Sequence, residues 1–537
     1  MKYIIISGGV ISGIGKGITA SSIGTILKSK GYNVSHIKID PYLNYSAGMM
    51  APSEHGEVYV LSDGTETDLD LGNYERFSGL QFSEKNAITS GKIYYNVIKQ
   101  EMKGLFNGKT LQINPHCVNE ILNRINDVCE TEIFDEYKNK MTKADIVVIE
   151  LGGTVGDNES IMYLEAFYKF FKNIKHEDFL FISVDFLVEL HNFEHKTKPL
   201  QVSARKLRSY GLKTDIIICR TQMNLASEII EKLADKCNVD SDSIFHLPNL
   251  KSVYKVPQFL LNNNLFECLK KKLNLKDRMH NTEILDKFET LVKRHNETII
   301  IGIVAKYGSK GDAYASIIHA ILFSSAEVGV NIEISWIDAE KLEEKDELEL
   351  KKLDKSQGII IPGGFGIRGI EGKIIAIEYC RINNKPLLGI CLGLQLSVIE
   401  FARNVLNYKN ATSEEFDSKS GMHFISLLDL NGVQSKSLRL GENNIILTKK
   451  SKITSIYGKN IVSERHRHRY GINKKYIDLL EENGFVCSGR SECENVAEIF
   501  ELKNHNFFIG VQYHPEFNAK PLNPSPLFSA FIKASFK

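Results

Sequence analysis

A chain of 537 residues, with 67 Lys and Arg against 66 Asp and Glu, is too long for one ordinary core and too nearly neutral to coat a nucleic acid or a membrane surface. Any basic site must therefore be local. Nine cysteines with no C-x-x-C pair read as reduced thiols, and "YIII" at the start is interrupted by Ser7-Gly8-Gly9 too early for a signal peptide, so a soluble cytoplasmic protein is expected.

Short β-branched runs alternate with helix-like segments through both halves. Before residue 221 they are "YIIIS", "NVSHIKID", "DIVVIEL", "LFISVDF" and "DIIICR"; after residue 298 they are "IIIGIVAKY", "GIIIPGG", "PLLGICLG" and "FFIGVQYHPEF". Continuous apolar runs suit strands buried on both faces, so the expected fold is two α/β units built on parallel sheets. The expected boundaries are 1–274 for the first unit, a polar, helix-prone connector at 275–298, and 299–537 for the second.

The first strand runs into "SGGVISGIGKG" and then a helix, the setting a phosphate-binding loop requires. Glycines let successive N–H groups converge on phosphate oxygens, the helix N-terminus adds a partial positive charge, and Lys16 adds a full one. The strict pattern would place Ser or Thr after the lysine, but Gly17 stands there, so a metal would need carboxylates from elsewhere. "DGTETDLDLGNYERF" supplies Asp68 and Asp70, and Glu150 ends the predicted strand "DIVVIEL". Further on, "HKTKPLQVSARKL" brings Lys196, Lys198 and Gln201 together on a strand or turn, a local basic bias that suits a second triphosphate.

In the second half, "GICLG" is a strand-to-helix turn with Cys391 between glycines, the pattern of a nucleophile elbow whose helix N-terminus favours a thiolate. "VQYHPEF" places His514 and Glu516 two apart, on one face of an extended strand, as a base and its orienting carboxylate. Gly363, Gly364 and Gly366 of "PGGFGIRG" offer backbone donors for an oxyanion.

Taken in order, "GGVISGIGKG", "KIDPYLN", "HGEVYV", "DGTETDLDLGNYERF", "GGTVGD", "KTKP", "PGGFGIRG", "GICLG", "ERHRHRY" and "QYHPEF" resemble the CTP synthase family over almost the whole chain. The resemblance implies a P-loop-type parallel-sheet synthetase domain followed by a class I glutamine amidotransferase domain. It implies that ATP phosphorylates UTP and that ammonia freed from glutamine by Cys391, His514 and Glu516 makes CTP. Gly13, Ile14, Gly15, Lys16, Gly17 and Ile18 would hold ATP phosphates, Lys38 would assist, and Asp70 with Glu150 would bind Mg2+. Ser12, Lys196, Lys198, Gln201 and Lys232 match UTP positions. Asp157 and Glu159 match the part that recognises CTP as feedback inhibitor; Asn158 between them departs from the expected aliphatic residue. For L-glutamine the matches are Gly364, Leu392, Gly393, Gln395, Glu415 and Arg469. Arg439 resembles a residue of the loop linked to activation by GTP, and His55 the gate of an ammonia channel. The family implies a homotetramer, in some members a filament, with neither nucleic acid nor membrane as partner. Amidases that activate a carboxylate with ATP share both halves, but they do not account for "KTKP" and "ERHRHRY" in this order.

Overall fold

The computed structural model describes residues 1–9, 11, 13–189, 195–307, 311–419, 422–430, 433–434 and 437–537. The chain forms two compact units, Met1–Met49 with Leu69–Val292, and Met50–Asp68 with Lys293–Lys537. The division differs from the sequence expectation in two places. Residues 50–68 belong to the second unit, where Tyr59, Val60 and Leu61 are wholly buried. There Arg465 donates to the Tyr59 hydroxyl and the Val60 carbonyl, both at 3.0 Å, and Arg467 pairs with Glu66 at 2.8 Å. The expected connector instead contains the helix Glu283–Leu291, which buries Ile284, Leu285, Phe288 and Leu291 in the first unit. Polar composition hid that apolar stripe.

The first unit is built on a seven-stranded parallel sheet. Its strands are β1 (Lys2–Gly8), β2 (Val34–Asp40), β3 (Ala87–Thr89), β4 (Ile146–Leu151), β5 (Phe179–Phe186), β6 (Ile216–Arg220) and β7 (Ile244–Leu247). Their order is β7-β6-β5-β1-β4-β2-β3. The short edge strands β3 and β7 lack a long apolar run and were not legible in sequence. The central strands are buried on both faces, which is why their sequences show no alternation. Register sets the site: Glu150 of β4 lies opposite Ile6 of β1 on one side and Lys38 of β2 on the other. All three therefore reach the carboxyl edge, where open α/β sheets hold ligands.

The second unit carries a nine-stranded sheet. Its strands are β8 (Thr298–Ala305), β9 (Asn331–Asp338), β10 (Gly358–Ile361), β11 (Leu387–Ile390), β12 (Arg439–Leu447), β13 (Ile461–His468), β14 (Phe485–Ser491), β15 (Ala497–Leu502) and β16 (Phe508–Val511). The order is β9-β8-β10-β11-β16-β15-β14-β12-β13. The run from β9 to β16 is parallel, as expected, but from β16 onward every pair is antiparallel. In β12 buried and exposed residues alternate, as a strand with one wet face requires, and no continuous apolar run announces it. Among the described residues no helix is long and apolar enough to cross a membrane.

Candidate active sites

In the first unit the glycine loop passes from β1 into the helix α1 (Lys16–Ser29), with Gly15 left-handed at φ 86° and no side-chain cap. The first amides of α1 therefore lack intrahelical partners and face the loop. Lys16 is buried at the start of α1 and its Nζ donates to the Gly153 carbonyl at 2.7 Å. Burial, with Lys38 beside it, pulls its ammonium below the usual lysine value against the attraction of Glu150. Ile14 is buried, Gly13 is left-handed at φ 70° and Ile18 already lies in the first turn of α1, whereas Ser12 lies outside the described residues.

Lys38 is the hub of three carboxylates. It pairs with Asp70 closely, with Asp40 at 3.3 Å and with Glu150 at 3.6 Å. Burial pushes the Glu150 carboxyl up, Lys38 opposes the shift and Asp70 adds to it; the Tyr74 hydroxyl donates to its Oε2. Three carboxylates that the Lys38 and Lys16 ammonium groups only partly neutralise suit Mg2+, so Asp70 and Glu150 fit the metal. Asp40 and Tyr74 were missed in the sequence, where nothing local links them to the loop. Gly17 now has a physical explanation. Asp70, in the first turn of α2 (Leu69–Ser78), sits so close that a Cβ at position 17 would fall 1.9 Å from its Oδ1. The carboxylate fills the space where the usual hydroxyl would stand. Gly17→Ser is expected to displace Asp70 and lower ATP-dependent turnover by roughly tenfold or more, read as a raised Mg2+ requirement. Wild-type Mg2+ dependence in this variant would contradict that account.

The residues matched to UTP and CTP are more dispersed. Lys196 ends a two-residue strand, whereas Lys198 opens the helix α3 (Lys198–Ser209), so the two do not share one strand. Gln201, one turn on, donates to Thr197 Oγ1 at 3.0 Å. Lys232 is exposed on α4 (Ser227–Cys237). Asp157, Asn158 and Glu159 are exposed in the loop after β4, where Thr154 donates to Asp157 and the Val155 amide donates to the Gly9 carbonyl at 3.3 Å. Asp185, at the end of β5, is a buried carboxylate that no motif marks in the sequence. Burial pushes it up to about 6 against hydrogen bonds from Ser183 and Ser203 and the charge of Lys16.

In the second unit Cys391 joins β11 to the helix α6 (Leu392–Asn404), α5 being the connector helix Glu283–Leu291. Its backbone has φ 53° and ψ −101°, a conformation a side chain rarely adopts. The turn is tight because the flanking glycines allow it: a Cβ on Gly393 would lie 2.1 Å from the Ile361 carbonyl, and one on Gly389 2.9 Å from Gly393. His514 and Glu516 do not lie on an extended strand, as the sequence suggested. β16 stops at Val511, and His514 precedes a short helix, Pro515–Asn518. The pair still meets, with His514 Nδ1 2.7 Å from Glu516 Oε1. Burial works against a charge on His514, but Glu516 first and Cys391 second outweigh it and raise the imidazole to about 10. Because that value is raised, the protonated ring persists above its ordinary range and is lost only as pH climbs through about 10. Glu516→Gln is expected to move the alkaline limb of glutamine hydrolysis to lower pH. An unmoved limb would rule out the orienting role of Glu516.

The loop after β10 lies against this centre, since a methyl on Gly363 would meet His514 Cε1 at 3.0 Å and Cys391 Cβ at 3.5 Å. Two buried lysines absent from the sequence reading hold its carbonyls. Lys373 donates to Pro362 O at 2.8 Å, and Lys306 donates to Phe365 O at 2.6 Å and Gly366 O at 3.0 Å. A planar peptide whose carbonyl points away turns the next N–H the other way. The Gly366 N–H accordingly reaches Glu415 Oε1 at 2.9 Å. Gln395 is buried behind Cys391 and donates to the Tyr470 carbonyl at 3.0 Å, and the Arg469 guanidinium lies 5.9 Å from the centre of the Phe365 ring. Leu392 and Gly393 open α6, where their amides have no intrahelical partner.

Two expected residues stand apart. Arg439 is not on an open loop: it begins β12, buried, paired with Glu498 and, at 3.0 Å, with Glu494. His55 is exposed at the end of the short helix Pro52–His55. His466, His468 and Glu498 bring one potential metal-ligand atom each within 4.8 Å of the others, but Glu498 is already claimed by Arg439 and by His466 at 3.1 Å.

The chain is similar to known proteins in both halves. The family described as CTP synthase N-terminus matches residues 2–275, and glutamine amidotransferase class-I matches 311–534. A CTP synthase of Encephalitozoon cuniculi is 46% identical over 541 residues, spanning 100% of this chain and 99% of its own. One of Methanococcus maripaludis is 44% identical over 549 residues and spans 100% of both. The solved glutaminase domain of a Trypanosoma brucei CTPS with bound acivicin is 34% identical, covering 44% of this chain and 94% of that one at a TM-score of 0.42. With both family regions present in order and full-length relatives at this identity, the chain belongs to the CTP synthase family.

Proposed function

We propose that the protein makes CTP from UTP, using ATP to activate the pyrimidine and glutamine as the source of nitrogen. The observation that carries this reading is the pairing, in one chain, of a Lys16–Lys38–Asp70–Glu150 site with a Cys391–His514–Glu516 site. In the second unit Cys391 Sγ attacks the glutamine amide carbon. The Leu392 amide and those of the Gly363–Gly364 turn receive the oxyanion, and the His514 imidazolium gives its proton to the departing ammonia. Water then releases glutamate from the sulfur, with His514 as base. Glu415 and Arg469 present opposite charges suited to the α-amino and α-carboxyl groups of the substrate, and Gln395 lines its path.

In the first unit the γ-phosphoryl group of ATP passes to uracil O4. Lys16 and the loop amides follow the phosphates while Lys38 neutralises the transferring group. Magnesium, held by Asp70 and Glu150, would spread the charge of the phosphate oxygens. Ammonia then attacks C4 and phosphate leaves with O4. UTP is assigned to Ser12, Lys196, Lys198, Gln201 and Lys232, whose cations suit a triphosphate. CTP, as inhibitor, is assigned to Asp157, Asn158 and Glu159, whose polar side chains suit its amino group. GTP is assigned as activator near Arg439, and His55 as the gate through which ammonia passes. A cytoplasmic homotetramer, with filaments as a higher assembly, completes the reading. Tyr95, Ile98 and Met102 support it, lying exposed on one face of a helix at helical spacing where a second copy could cover them. The test is to supply glutamine labelled in its amide nitrogen with UTP and ATP. Label in the exocyclic amine of CTP is expected, and unlabelled product or none would overturn the proposal.

A further inference from the structure

Gln512 is wholly buried just beyond β16, two residues before His514, and no step above uses it. Its Nε2 lies 3.6 Å from Cys391 Sγ, and its Oε1 accepts from Gln395 Nε2 at 3.2 Å. The same Gln395 nitrogen donates to the Tyr470 carbonyl at 3.0 Å. A side-chain amide can usually be turned end for end, but here the order is forced. The Tyr470 carbonyl can only accept, so Gln395 must present its NH2 group. That NH2 group then requires the oxygen of Gln512, which leaves the Gln512 NH2 group facing sulfur. A backbone bond from the Gln512 amide to the Glu498 carbonyl at 2.8 Å fixes where this side chain starts.

The sulfur has a second neighbour, the Arg467 carbonyl at 3.8 Å, which can only accept. The protonated thiol thus has somewhere to give its hydrogen, and the unprotonated sulfur has a donor to receive. His514 supplies the full positive charge, whereas Gln512 supplies direction.

We infer that Gln512 is a further catalytic residue of the glutamine-hydrolysing centre, its Nε2–H donating to Cys391 Sγ and aiming it, with Gln395 and the Tyr470 carbonyl fixing the amide that does so. The inference rests on the reading of Cys391 as nucleophile. A carboxylate of the same shape at this position would repel the thiolate, and a thioether would leave it without the donor.

The experiment follows iodoacetamide alkylation of Cys391 against pH in the full-length wild type, Gln512→Glu and Gln512→Met, with CTP formation from glutamine and from ammonium measured alongside. Gln512→Glu is expected to raise the alkylation midpoint by about one pH unit or more and to lower glutamine-dependent kcat/KM by roughly a hundredfold, with ammonium-dependent synthesis retained. Gln512→Met should shift both the same way by less. Wild-type alkylation profiles in both variants, or a change confined to KM for glutamine, would overturn the inference. Were Gln512→Glu to lose ammonium-dependent synthesis through misfolding, the Gln512→Met profile decides alone. A wild-type chain whose Cys391 resists alkylation and that frees no ammonia would instead overturn the reading of the centre.

Discussion

Replacing Cys391 with alanine is expected to abolish CTP formation from glutamine, by roughly ten-thousandfold or more, while synthesis from added ammonium continues. No other group can replace the sulfur, because the turn that carries it is built for one residue: Cys391 projects from a strained φ of 53°, between glycines that let the helix crowd the strand. Alanine keeps the Cβ and hence the same backbone strain, so the variant should melt near the wild type. His514 loses one of the two charges that hold its proton, and its pKa should fall from about 10, which an NMR titration would show. Parallel assays with the two nitrogen sources check the main claim. If ammonium-dependent synthesis disappears as well, the nucleophile does more than release nitrogen, and the separation of the two chemistries fails.

Lys16→Ala is expected to remove CTP synthesis from either nitrogen source, by on the order of a hundredfold or more, which corresponds to roughly 3 kcal/mol of lost transition-state stabilisation. Two buried cations, Lys16 and Lys38, face Asp40, Asp70 and Glu150. Without Lys16 the site keeps one ammonium to meet three carboxylates and an incoming triphosphate. Adding Mg2+ should not restore the rate, since an ion between the carboxylates would not put a charge where Lys16 Nζ stands, beside the Gly153 carbonyl. Alkylation of Cys391 should be unaffected, which separates a failed phosphoryl site from a misfolded chain. Ammonium-dependent synthesis at the wild-type rate would refute the role of Lys16.

Both centres were legible where their chemistry is local. A glycine loop before a helix, a cysteine between glycines, and His-x-Glu after an apolar run each define their geometry within a few residues, so backbone sterics and helix-end electrostatics suffice to read them. Even where the reading of the local backbone was wrong, as with the turn and short helix at His514–Glu516, the spacing kept the pair in reach. Partners that arrive from other parts of the sheet were not legible. Asp40 and Tyr74 look like any strand and helix residue, and Lys306 and Lys373 look like surface lysines, until the fold buries them against carboxylates and carbonyls.

The amino-acid sequence by itself determined two α/β units, the glycine loop that leads into a helix at Lys16 and the strand-to-helix turn at Cys391, because each follows from the pattern of apolar runs and glycines within a short stretch. Only the tertiary structure decided that residues 50–68 join the second core, that the last strands of its sheet run antiparallel, and that Asp70 fills the space left by Gly17. Those outcomes depend on which distant surfaces bury each other and which charges then lose their water. That competition is settled among packed side chains far apart in the chain, not among neighbours along it.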